Sequence, residues 1–149
     1  FSSVVVPADL VDAAGYPDSK LPSYQDWDWY LRLSDHANFT PVPEPLTVKH
    51  SDSKQISDNF QQKREVAYPV LRERLRDRAD SERMRRIAMS GLQFQMGYSA
   101  LSNAEYGFAR RFFMRSLRTN PKQWKSCAYL LLSGRHVEPL RRLKRALTT

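Results

Sequence analysis

The sequence predicts an α/β portion over residues 1–57 followed by an all-α region over residues 58–149. Three observations carry that expectation. The run "SSVVVP" (2–7) is apolar and β-branched and ends in proline, which suits a buried strand. From Ser57 onward apolar residues recur at helical spacing. The charge divides the same way: residues 1–60 carry −5 and residues 61–149 carry +13, within a chain of net +8.

The elements follow in order. "PADLVDAAG" reads as a short helix, with Pro7 near its first turn and Gly15 as its stop. "YPDSKLPS" is loop chemistry. A helix over 26–36 is expected to turn Trp27, Tyr30, Leu31 and Ser34 to one face. The prolines of "FTPVPEPLTVKH" allow short extended pieces, with a strand at 46–49. Ser57 is the expected cap of the next helix, whose inner face is Phe60, Val66, Val70, Leu71 and Leu75. Pro69 should break or kink it. Ser81 should cap a further helix with Ile87, Leu92, Met96 and Leu101 inward. Helices closed by Pro121 and by Gly134 follow, then a basic last one in "HVEPLRRLKRAL".

Gly97, Tyr106, Ala109, Phe113, Ser116 and Pro121 fall where the tetratricopeptide pattern places small, aromatic and proline residues. One such hairpin, over about 87–121, is expected. A single hairpin cannot bury its own apolar face and must pack on neighbouring helices.

Several chemistries are excluded or weakened. His36, His50 and His136 form no paired metal-ligand motif, the five glycines are isolated, and no nucleophile elbow occurs. Cys127 sits in an apolar helical run and is expected to be an inert core thiol. The arginines of 72–86 and 110–118 spread around helices. They read as a solvated face, and no nucleic-acid partner is expected. A single cysteine fits a reducing compartment.

This leaves "LPSYQDWDWYLRL" (21–33), where Asp26 and Asp28 stand among aromatic residues. Asp is common at helix starts, because it caps free N–H groups and meets the positive end of the dipole. The order of motifs across residues 2–57 suggests more. A serine-rich run, a short helix, the turn "AGYPDS", the acidic "QDWDWYLRL", then "PVPEPL" and "QIS" resemble the second half of a family 2 glycosyltransferase catalytic domain.

That resemblance implies part of a GT-A nucleotide-sugar transferase fold. It also implies an inverting transfer of sugar from a nucleotide-sugar donor to a saccharide or lipid-linked acceptor. Asp26 takes the position of the base that deprotonates the acceptor hydroxyl. Tyr24, Gln25, Trp27, Asp28 and Arg32 become the acceptor-side group, with Tyr24 and Trp27 stacking on a pyranose and Asp28 with Arg32 as a supporting i,i+4 pair. Gln25 stands where the family usually has glutamate. His50 is the candidate contact to a Mg or Mn ion; the Asp-x-Asp that supplies the main ligands in the family has no counterpart here, since "DWD" belongs to the later acidic motif. The chain is therefore expected to be one part of a longer cytoplasmic enzyme and inactive alone. Its basic helices are expected to meet an anionic membrane surface. The competing expectation is a non-enzymatic helical module that binds a protein.

Overall fold

The computed structural model describes residues 4–46, 59–78 and 81–133. They fall into two compact units, Phe1–Arg74 and Leu75–Thr149. Every regular element among the described residues is helical, so the α/β expectation is corrected to an all-helical fold. Residues 4–7 are not part of a strand, although Val5 is 99% exposed and Val4 and Val6 are half-buried, as alternation would give. A strand needs a neighbour to satisfy its N–H and C=O groups, and no ladder forms among the described residues. Leu46 is likewise exposed and outside any strand, and the remainder of the expected 46–49 strand lies outside the described residues.

The first unit opens with α1 (Ala8–Ala14), whose N-cap is Pro7 and whose chain is stopped by Gly15 at φ +72°. Helix α2 (Gln25–Leu33) packs on it. Ala14, Trp29 and Leu33 form the shared core, with Val6, Leu10, Val11 and Tyr30 against it. The buried residues of α2 are Asp28, Trp29 and Leu33, with the expected Tyr30 packed against them; the expected Trp27 and Leu31 are only half-buried and Ser34 is exposed. Spacing alone misplaces part of the face, because it counts the buried Asp28 as an outward residue.

Downstream, Asn59 rather than Ser57 caps the chain: its side chain accepts from the Gln62 N–H at 3.1 Å. Ser57 lies outside the described residues. A short α3 (Phe60–Gln62) runs through a π-helical turn (Lys63–Ala67) into α4 (Tyr68–Arg78). Pro69 therefore does not break the helix. A proline ring clashes with the carbonyl four residues back, here Glu65, and the wider π turn sits at that place. Val66 is exposed, and Ala67 and Tyr68 are buried in its stead.

The second unit contains α5 (Glu82–Ser102), α6 (Tyr106–Thr119) and α7 (Trp124–Leu132). Ser81 caps α5 by accepting from the Met84 N–H at 3.2 Å. A three-residue connection leaves α5 and α6 antiparallel. Their backbones approach closely at Gly97, where a Cβ would stand 2.6 Å from the ring of Phe113. Further along the pair, the buried Ser116 hydroxyl donates to the Ser90 carbonyl at 2.8 Å and accepts from the Ser126 hydroxyl on α7 at 2.8 Å. Leu92 and Met96 are fully buried as expected, whereas Ile87 is exposed and Leu101 half-buried. Cys127 is exposed on α7 and is not a core thiol. The expected last basic helix and Gly134 lie outside the described residues.

Candidate functional site

The two acids of α2 are two residues apart, so on a helix they point about 200° away from each other. Their surroundings differ accordingly. Asp28 is completely buried. Its Oδ2 accepts from Arg32 Nε at 3.2 Å, the i,i+4 pair the spacing suggests. Its Oδ1 lies 2.7 Å from Arg74 Nη1 on α4, a contact of opposite charges without an aligned hydrogen bond.

Arg32 extends the network. It donates from Nη1 to the Ala14 carbonyl and from Nη2 to the Tyr16 carbonyl at 2.8 Å, and so covers the C-terminal end of α1. Trp29 Nε1 donates to the Gly15 carbonyl between them at 2.7 Å. The Ala14 carbonyl is one of the orphans of the helix end, and those of Gly15 and Tyr16 follow it in the turn beyond. Asp28 and Arg32 thus hold α1, α2 and α4 together. Gln25 is also engaged structurally, donating from Nε2 to the Leu21 carbonyl at 2.6 Å.

Asp26 sits on the other side of α2 and is half-buried. Its Oδ1 accepts from the Trp27 backbone N–H at 2.9 Å. No lysine or arginine pairs with it among the described residues. Around it stand three aromatic side chains. Tyr24 and Trp27 have ring centroids 5.6 Å apart, tilted at 53°. Tyr24 occupies the N-cap of α2 in the left-handed region, at φ +59°. Burial pushes its phenol up to about 12, and the negative charge of Asp26 adds to that rise. Tyr30 is raised by the same two causes in the same order. Both phenols therefore stay protonated at neutral pH beside the Asp26 carboxylate.

The structure thus gathers Asp26, Tyr24 and Trp27 and separates them from Asp28 and Arg32. It adds two residues that sequence spacing does not bring in. Lys63, at the start of the π turn, places Nζ 5.7 Å over the Tyr24 ring. Arg74 supplies the second cation to Asp28. Both lie far along the chain, and only tertiary packing brings them here.

A divalent metal does not fit these residues. The Asp28 oxygens face guanidinium groups, Asp26 points away, and no group of three metal-ligating side chains occurs among the described residues. His50 lies outside the described residues. A separate apolar groove of about 490 Å³ lies between residues 4–10 and 37–46, with Leu33 at its base. Asp26 does not line it. Comparison of the chain with family models, with curated proteins and with solved structures returns no match.

Proposed function

We propose that this chain carries the acceptor side of an inverting glycosyltransferase, with Asp26 as its general base. One observation carries the proposal: of the two acids in "DWD", Asp28 is consumed by the Arg32 and Arg74 cations, while Asp26 stays at an aromatic rim without a cationic partner among the described residues. The ordered resemblance over residues 2–57 supplies the reaction class. Tyr24 in a left-handed conformation adds support, because strained backbone at a non-glycine residue clusters at ligand-binding positions.

In the proposed reaction the acceptor hydroxyl lies against the Tyr24 and Trp27 rings, within hydrogen-bond reach of Asp26. The carboxylate takes the hydroxyl proton as the oxygen bonds to the anomeric carbon. The bond from that carbon to the nucleoside diphosphate breaks in the same displacement, and the configuration inverts. The protonated Asp26 then returns its proton to solvent. A positioned base of this kind contributes about 10²–10⁴-fold to rate.

The test is Asp26→Asn in a protein holding these residues together with a donor site. Transfer from nucleotide-sugar donors falls by about 10²–10⁴-fold, with donor binding unchanged. Normal transfer by that variant would refute the role.

A second reading, a helical module that binds a protein, is favoured by one feature of the second unit. Phe94 and Tyr98 of α5 and Trp124 and Tyr129 of α7 line a groove of about 390 Å³, with Trp124 69% exposed. That reading gives Asp26 no role.

A further inference from the structure

We infer that α6 is a docking face for an anionic lipid surface, through a stripe of Arg111, Arg115 and Arg118. Successive residues of a helix turn by about 100°, so these three fall within an arc of about 60°. Ala109, Phe112, Phe113 and Ser116 are buried on the opposite side. The three arginines are exposed and span about 10 Å along the axis.

Among the described residues nothing neutralises the charge of the stripe. No acid occurs among the fourteen residues of α6, which include a fourth exposed arginine, Arg110. None of the four pairs with an acid among the described residues. The arginines of the α5 start differ. Arg86 donates to Glu82 at 2.9 Å and Arg85 also pairs with it, and these hydrogen bonds hold the Glu82 carboxyl below its ordinary value. On α6, Arg111 lies over the Phe108 ring at 5.8 Å and Arg115 over the Phe112 ring at 5.7 Å. Such contacts steady a guanidinium and leave its full charge available.

The shape of the face selects the partner. Three cations in a line on a convex helix reach a flat surface together. The exposed residues of α6 are arginines and Gly107, with no exposed aromatic ring on which a nucleic-acid base could stack. The apolar side of α6 faces inward, so attachment is electrostatic rather than by insertion. Among the described residues no helix is long and apolar enough to cross a membrane.

Flotation of the chain with phosphatidylcholine vesicles, with and without phosphatidylglycerol, tests the inference. The chain floats with the anionic vesicles, stays behind with the neutral ones, and is released by salt. Arg111→Gln/Arg115→Gln/Arg118→Gln lowers partition by roughly a hundredfold, since each basic residue near such a surface contributes about a factor of ten or less. Arg83→Gln/Arg85→Gln/Arg86→Gln removes the same number of charges elsewhere and retains most of the binding. Three outcomes overturn the inference: no flotation, equal loss in both variants, or tighter binding of a labelled RNA oligonucleotide than of the anionic vesicles. Circular dichroism of both variants confirms that the helices persist, and all six substituted side chains lie at the surface or half-buried.

Discussion

Gly15 and Arg32 meet so closely that a Cβ on the glycine would stand 3.3 Å from Arg32 Nη1. The same glycine adopts φ +72° and ψ 172°, a combination open in practice to glycine alone. The turn that ends α1 and the arginine that caps it therefore depend on one missing side chain. Gly15→Ala is expected to cost about 1–3 kcal/mol in urea unfolding. Gly15→Asn should cost as much, because asparagine tolerates the left-handed helical region but not this one.

Two glycines of α5 should respond in opposite directions. A Cβ at Gly97 would meet the fully buried Phe113 ring at 2.6 Å, whereas a Cβ at Gly91 meets nothing within 4 Å. Gly91→Ala gains helix propensity and is expected to stabilise by up to about 1 kcal/mol. Gly97→Ala gains the same term but overpacks α5 against α6, for a net loss of about 1–2 kcal/mol. Thermal or urea unfolding of the two variants measures both signs.

The Tyr24 phenol gives a pH dependence of known sign. Its folded value is raised from 10.0 to about 12, so the folded chain holds that proton where the unfolded chain has lost it. The contribution is fully present below the unfolded value near 10 and is lost as pH rises through about 12. Stability should therefore fall across that window, by up to about 2 kcal/mol from this group. Tyr24→Phe removes that part of the decline. Phenolate absorbance of wild type against Tyr24→Phe locates the titration.

Features set by neighbours in sequence were legible in the chain. Gly15 stops α1, Ser81 caps α5, and the small residues Gly97, Ala109 and Ser116 line a close helical hairpin. Features that need a distant partner were not. The β-branched run 2–7 has strand composition, yet its described part finds no neighbour to pair with. Periodicity kept Tyr30 of α2 on the core side but left Asp28 outward, because burial of Asp28 depends on Arg74 from another helix. The candidate site was half legible. "DWD" marks the place, but only the opposed surroundings of Asp26 and Asp28 separate a structural acid from one open to a ligand.

That separation is the central claim, and urea unfolding of Asp26→Asn beside Asp28→Asn tests it most directly. Asp28→Asn leaves Arg32 and Arg74 without their shared anion. It should cost about 2–3 kcal/mol, somewhat below the range for a fully buried pair, since both arginines keep some solvent access. Asp26→Asn should stay within about 0.5 kcal/mol of wild type. Equal losses, or a larger loss at Asp26, would contradict the division of roles between the two acids.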